Sequence, residues 1–413
     1  MGFDLEELKH QVPLLEYLKT EYPELDYRTT GQKTFVSCPY HEDRTPSCLI
    51  NDDNTFHCYS CSEHGSIIDF VAVKEGWDPT TDFKEICTHI GERVGVAVHF
   101  SKPDPEIEQY IEEKHLLNKR YFEEWKTNPE CTEAYLYLTE QRGLTPQTIT
   151  KFRLGYVPMD EYKRRRDIAY ISGRIAFPIL EMKPSKDIRK VRCIGMGYRT
   201  INQGSDEPKY VNDPTKEGVF NKRNVLYGYA HAVPFIRQAK SVFLVEGYMD
   251  VLSMHQADIK NTVACMGTAL TEEQMDILRK HTSNIYIFMD GDGAGRKNMN
   301  RVLPALLNRG FNVRFVKGID GMDPADICLK AKFDSSKVRQ YIKEHSEYAV
   351  LSVINEACAT YDDVVLRERL KAVHMTASIL DCIQNASERK VYQDMLNKRL
   401  DIKGGVADEC LIR

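Results

Sequence analysis

The sequence predicts a multidomain α/β protein: a small metal-stapled β module, a domain built on a parallel sheet, and a closing run of helices. Three observations carry this expectation. Paired Cys/His and Cys/Cys knuckles stand among short β-like runs before residue 62. Between 241 and 317, apolar strand patterns alternate with helical ones, the signature of βαβ units. Beyond residue 330 the pattern reads as helical. A length of 413 residues, at roughly 150 per domain, accommodates two or three domains.

Composition narrows the class. Hydrophobic residues make up 42% and charged residues 28%, ordinary for a globular protein with a sizeable core. No apolar run is long enough to span a bilayer, so no membrane partner is expected. Residues 1–7 are acidic and lack the basic-then-apolar layout of a secretory signal. Twelve cysteines in such a chain point to reduced thiols or metal ligands, and to a cytoplasmic location. A net charge of −5 argues against a polyanion partner, but residues 151–199 carry thirteen basic side chains against five acidic ones. That local excess is what a polyanion needs.

In chain order, residues 4–20 predict a short amphipathic helix, and residues 31–61 alternate short strands with turns. Strands this short need a staple. Residues 66–96 return to helix, and 101–105, with two prolines, reads as a linker. Helices are expected over 106–150, β structure over 170–228, and parallel strands at 241–246, 262–265, 285–290 and 312–316. Four helices follow, at 335–345, 347–358, 364–385 and 386–400.

Cys38-Pro39-Tyr40-His41 and Cys58-Tyr59-Ser60-Cys61 form two knuckles with sixteen residues between His41 and Cys58. Each knuckle can turn two ligands onto one ion, and the spacer suits a strand hairpin that returns the second to the first. Three thiolates and one imidazole fill a tetrahedral Zn²⁺ site, so the zinc is expected to be structural. Cys48, on a strand-like run, reads as core, and His64 competes with His41 as fourth ligand.

A second centre is acidic. The apolar run Val242–Val245 ends in Glu246-Gly247-Tyr248-Met249-Asp250. Residues 285–289 end in Asp290-Gly291-Asp292, and Asp323-Pro324-Ala325-Asp326 follows the strand at 312–316. Open α/β sheets bind ligands at the carboxyl ends of their strands. Carboxylates gathered there repel one another without cations, and Mg²⁺ (or Mn²⁺) takes such oxygen ligands together with substrate phosphates.

With these residues in view, the chain resembles the bacterial-type replicative DNA primases. Glu246–Asp250 followed by Asp290-Gly291-Asp292-Gly293-Ala294-Gly295-Arg296 resembles their Toprim domain. The two knuckles with His64-Gly65 and Ile68-Asp69-Phe70 resemble their CHC2 zinc ribbon. Gly143-Leu144, Phe152-Arg153-Leu154-Gly155-Tyr156 and Pro208-Lys209-Tyr210-Val211-Asn212 resemble the first part of the catalytic core. The resemblance implies a zinc-binding domain at 1–100, a basic core subdomain at 101–240, a Toprim domain at 241–330 and a closing helical subdomain at 331–413. It implies RNA-primer synthesis on single-stranded DNA from ribonucleoside triphosphates, by two-metal nucleotidyl transfer. Glu246 matches the catalytic glutamate, with Asp290 and Asp292 beside it; Asp250, Asp323 and, less directly, Asp326 complete the metal set. Lys151, Arg192, Arg199, Lys209, Tyr210 and Lys222 fall on nucleotide- or template-handling positions, with Tyr210 as a stacking surface. The replicative helicase and single-strand-binding protein are the candidate protein partners.

Two departures stand out: Ala325 shifts the last acid to Asp326, and Lys151 replaces an arginine, keeping charge without bidentate geometry. The rival readings are a Toprim nuclease or topoisomerase-like enzyme and a non-enzymatic single-strand binder. No G-x-x-x-x-G-K-[S/T] loop supports a fused helicase. The final helices are expected to close the core rather than form a separate helicase-docking domain, an arrangement that fits a phage-borne member better than a cellular one. The competing expectation is a shortened docking domain over residues 364–413.

Overall fold

The computed structural model describes residues 2–3, 8, 12–31, 33–61, 63–77, 79, 82–98, 104–164, 170–182, 191–202, 207–267, 269–288, 293–319, 321–361 and 366–400. They fall into two units, Met1–Glu108 with Met182–Val191, and Gln109–Glu181 with Arg192–Arg413.

In the first unit a two-residue strand, β1 (Gly2–Phe3), precedes helix α1 (Leu14–Glu21). The expected helix over 4–20 is shorter among the described residues. Pro13 sits at its N-cap, where a missing N–H costs little; positions 4–7 and 9–11 lie outside the described residues. Five short strands follow: β2 (Tyr27–Thr30), β3 (Lys33–Val36), β4 (Cys48–Ile50), β5 (Thr55–Cys58) and β6 (His64–Ser66). They pair in sequence order as an antiparallel meander. Helices α2 (Ile67–Lys74) and α3 (Phe83–Arg93) follow, and β7 (Ala97–Val98) pairs with β1. Leu14, Leu18, Phe56, Phe70, Ile86 and Ile90 form the core. Cys48 is fully buried there.

The second unit contains most of α4 (Pro105–Thr127). Pro105 opens this helix, and Asp104 accepts from the Glu106 N–H at 2.9 Å; residues 101–103 of the expected linker lie outside the described residues. Then come α5 (Thr132–Leu136), a π-helical turn (Tyr137–Gln141), α6 (Pro146–Lys151), β8 (Gly155–Tyr156) and α7 (Glu161–Arg164). Strands β9 (Ile175–Met182), β10 (Val191–Arg199) and β11 (Tyr210–Asn212) join β8 in a sheet of order β11-β10-β9-β8. Of the basic stretch, Arg165, Arg166, Lys183, Lys186, Arg189 and Lys190 fall outside the described residues.

Helix α8 (Tyr229–Ala239) leads into β12 (Val242–Val245), α9 (Tyr248–Gln256), β13 (Thr262–Ala264), α10 (Glu272–Arg279), β14 (Asn284–Ile287), α11 (Gly293–Asn308) and β15 (Asn312–Val316). After β15 come α12 (Pro324–Lys330), α13 (Ser335–His345), β16 (Ser346–Tyr348), α14 (Ala349–Tyr361), α15 (Leu366–Leu380) and α16 (Ala386–Arg399). The sheet order is β13-β12-β14-β15-β16. The first four strands are parallel, and β16 is an antiparallel edge. Glu347 and Tyr348 of that edge were expected to open a helix. The edge's three residues are held by Lys317–Glu347 and by Arg314, whose guanidinium lies 4.1 Å from the Tyr348 ring centroid. Ala357, Val373, Leu380, Leu396 and Leu400 share one buried core with Leu244, Ile287 and Phe315 of the sheet. Among the described residues no helix is long and apolar enough to cross a membrane.

Candidate functional site

The meander register sets Cys48 opposite Cys58 and leaves Cys38 two residues past β3, so both knuckles emerge at one end of the sheet. Ligand atoms of Cys38, His41, Cys58 and Cys61 all lie within 4.8 Å of one another. Cys38 Sγ and Cys61 Sγ are 3.7 Å apart. A tetrahedron with Zn–S bonds of ~2.3 Å has edges of about 3.8 Å, so the spacing fits zinc. His41 Nδ1 is buried with no hydrogen-bond partner, as a ligating nitrogen would be. Burial raises the Cys58 thiol, but donation from Ser47 and the Cys61 and Ser60 N–H groups outweighs it, leaving a net depression that favours thiolate. His64 stands outside the gathered four and pairs across the sheet with His57.

The acidic centre belongs to the second unit. Chain order and sheet order diverge between β12 and β14: β12 connects through α9 to β13 on one side, and β14 through α11 to β15 on the other. Such a switch point opens a crevice at the strands' carboxyl ends. Half-buried Glu246 leaves β12 there. Its charge is felt by Cys265 at the end of β13, whose thiol burial pushes up to about 12. Asp250, three residues into the turn of α9, is 6% exposed, and its two oxygens face different backbones. Oδ2 accepts from the Gly247 N–H at 2.9 Å, and Oδ1 from the Ala325 N–H at 3.3 Å, joining the N-termini of α9 and α12. Asp323 caps α12 by accepting from the Asp326 N–H at 2.7 Å. Burial, and then the Asp326 carboxylate, raises the Asp323 carboxyl against the pull of its N–H donors and Arg142. Asp290 and Asp292 lie outside the described residues, between β14 and α11 in the chain.

Aromatic and basic side chains wall this centre. Tyr248 opens α9, and its hydroxyl donates to Asn212 Oδ1 on β11. A Cβ at Gly197 would collide with that hydroxyl, so glycine there lets the ring lie against β10. Tyr210 packs against Tyr248 and Phe177, with centroids 5.6 and 6.2 Å away. Arg199, buried, bonds the Tyr210 hydroxyl and lies 4.9 and 5.0 Å from the Tyr137 and Tyr210 centroids. Tyr210 is therefore a seat for Arg199 rather than an open stacking surface. Arg142 follows the π-helical turn, donates to the Tyr137 hydroxyl at 2.7 Å and stands 3.9 Å from Asp326. Sequence reasoning missed Arg142; its only local signal was a basic residue just before Gly143.

The remaining basic residues spread out. Lys209 is exposed immediately before β11. Lys222 is half-buried, which lowers its ammonium pKa, and Gln274 holds its loop through the Lys222 and Val225 carbonyls. Arg192 pairs with Glu181 at 2.9 Å, about 23 Å along β10 from Arg199 at strand rise. Lys151 lies 5.5 Å from the Phe152 ring and interacts with Lys260 and Asp258 past the far end of α9, away from the acids.

With this geometry established, likeness to known proteins is informative. Family models for the CHC2 zinc finger, the N-terminal domain of the DNA primase catalytic core, and Toprim-like domains match residues 3–105, 159–233 and 243–328. A DNA primase of Aquifex aeolicus is 31% identical over 365 residues, covering 84% of this chain and 70% of the relative. The chain spans 60% and 70% of the length of the first two curated relatives it matches. The crystal structure of the zinc-binding and RNA polymerase domains of Aquifex aeolicus primase superposes with a TM-score of 0.57 at 28% identity, covering 100% of both chains. A DnaG primase catalytic domain bound to single-stranded DNA gives a TM-score of 0.62 at 25% identity, over 73% of this chain and 99% of that one.

Proposed function

The chain belongs to the bacterial DNA primase family, and from that premise we propose that it synthesises short RNA primers on single-stranded DNA as a nucleotidyltransferase. The observation that carries the reading is the convergence of the Glu246 turn with the N-termini of α9 and α12 at a switch point, beside Arg142, Arg199 and Tyr210. The oxygen-only donors Glu246, Asp323 and Asp326, with Asp290 and Asp292 next in the sequence motif, suit magnesium or manganese. Bound there, the metal supplies positive charge to the triphosphate and to the attacking 3′-hydroxyl.

The chain's own residues do the positioning. Glu246 is assigned to the attacking hydroxyl, as proton acceptor or ligand. Asp250 holds the Glu246 turn against α12. Arg142, drawn from Asp326, meets the incoming triphosphate, and Arg199 braced by Tyr210 walls the nucleotide site. Lys209, Lys222 and Arg192 carry the template backbone. Lys151 is left out of this reading because of its distance from the acids. The domain division is proposed as zinc module at 1–100, basic subdomain at 101–240, Toprim domain at 241–330 and closing helices at 331–413. Helicase and single-strand-binding protein remain the proposed protein partners.

The test is incubation with single-stranded DNA, Mg²⁺ and labelled ribonucleotides. Wild type yields short RNA. Glu246→Gln and Asp290→Asn lose synthesis by about a hundredfold or more yet retain DNA binding, since removing negative charge does not weaken attraction to phosphate. Cleaved DNA without RNA product would replace this reading with a Toprim nuclease.

A further inference from the structure

One carboxylate bonds the first zinc knuckle directly and reaches the second through a serine. Asp43, its side chain 7% exposed, accepts at Oδ2 from the Cys38 N–H at 3.1 Å, the Ser47 N–H at 3.0 Å and the Ser47 hydroxyl at 2.8 Å. The Ser47 oxygen lies 3.3 Å from Cys58 Sγ. Asp43 Oδ1 faces His41 Nε2 at 3.7 Å, an ion-pair contact rather than a hydrogen bond. The other ring nitrogen, Nδ1, is the buried one without a partner.

We propose that Asp43, with Ser47, is the positioning pair of the zinc site, setting the spacing of the two knuckles and the orientation of the His41 ring. The inference rests on the zinc reading above. The physical reason is that the knuckles are sixteen residues apart in sequence and must meet at one ion. The Cys38 N–H bond fixes the first knuckle, and the bond relayed through Ser47 reaches the second. A carboxylate beside Nε2 orients the ring and leaves the buried Nδ1 to face the metal.

The test uses the full chain with zinc bound and a competing colorimetric chelator. Asp43→Ala should weaken zinc affinity by about 10- to 100-fold. Asp43→Asn, which keeps an acceptor for Cys38 and Ser47 but loses the charge facing His41, should fall between, and Asp43→Glu should recover part of the loss. With Co²⁺ in place of zinc, Asp43→Asn at saturating metal should shift the visible d–d bands, because the ring loses the charge that orients it; a purely structural role leaves the saturated spectrum alone. His64→Ala should bind as wild type. Affinity within twofold of wild type for both Asp43→Ala and Asp43→Asn overturns the proposal. If Asp43→Ala does not fold, the Asp43→Asn affinity and spectrum decide. Retention of zinc by Cys58→Ser would instead bring down the zinc reading itself, and the proposal with it.

Discussion

Lys114→Met is expected to destabilise the second unit by about 3–5 kcal/mol, the range for removing one partner of a buried ion pair. The Lys114 ammonium lies 2.6 Å from Asp213 Oδ2, with the two side chains 8% and 4% exposed. Asp213 has two other donors, the Met196 N–H at 2.9 Å and the Tyr198 hydroxyl at 3.1 Å. The substitution therefore strands a carboxylate with two neutral donors and no countercharge, in a site closed to water. At ~1.4 kcal/mol per decade, the folding equilibrium shifts by about two to three and a half powers of ten. The chain contains two tryptophans. A Trp77→Phe background leaves Trp125, which donates to the Leu154 carbonyl at 2.7 Å, as the fluorescence reporter of this unit in urea titrations. Lys114→Met/Asp213→Asn should recover part of the loss, because the buried charge leaves with its partner while the amide oxygen still accepts from Met196 or Tyr198. A cost below ~1 kcal/mol for the single variant, or a double variant no better than it, would refute the argument. Asp213 follows Asn212, the acceptor for Tyr248, so primer synthesis per folded molecule should fall in the single variant as well.

Truncation after Thr360 removes Ala372, Val373, Ile379, Leu380, Ile383, Leu396 and Leu400 from the core they share with the sheet. At ~1.5–3 kcal/mol for each large apolar side chain, the loss is comparable to a whole domain's stability, so the fragment should lack a cooperative melt; a fragment that melts and primes as wild type would make those helices a docking appendage. His231 and His255 flank Phe152 with centroids 4.5 and 5.1 Å away, and burial, followed by nearby Lys151, lowers their pKa values to about 4 and about 3. Because the unfolded chain takes up these protons below pH ~6.5 and the folded one does not, stability is full above that pH and declines as pH falls toward 4, by up to ~1.4 kcal/mol per pH unit for each ring. His231→Leu should flatten that decline by one ring's share in urea titrations across this range, and an unchanged slope would count against it.

The features legible in the sequence are those whose physics is local. Two knuckles of two ligands each need only a tight turn and a hairpin spacer, so Cys38, Cys58 and Cys61 could be named from spacing, with His64 competing with His41 for the fourth place; the structure gathers His41 with the three cysteines. An apolar run ending in acid and glycine announced the end of β12, and β12 and β15 lie where their patterns put them. Contacts across long stretches of chain could not be read this way. Arg142 meets Asp326, and Tyr248 meets Asn212, only because the sheets bring their elements together. The resemblance implied a metal role for Asp250; that its oxygens accept from the N–H groups of Gly247 and Ala325 is a pairing that depends on where α12 docks. Lys151 carried the right charge for a groove, but the packing of α6 set it beside Asp258 and Lys260. Ser346–Tyr348 became an edge strand because β15 offered an open row of backbone groups, and three residues hold too little pattern to reveal it. Spacing and periodicity thus determined which residues could bind metal and where strands would end; the tertiary structure decided which of them face one another, because strand order and helix docking are set by burial summed over the whole core.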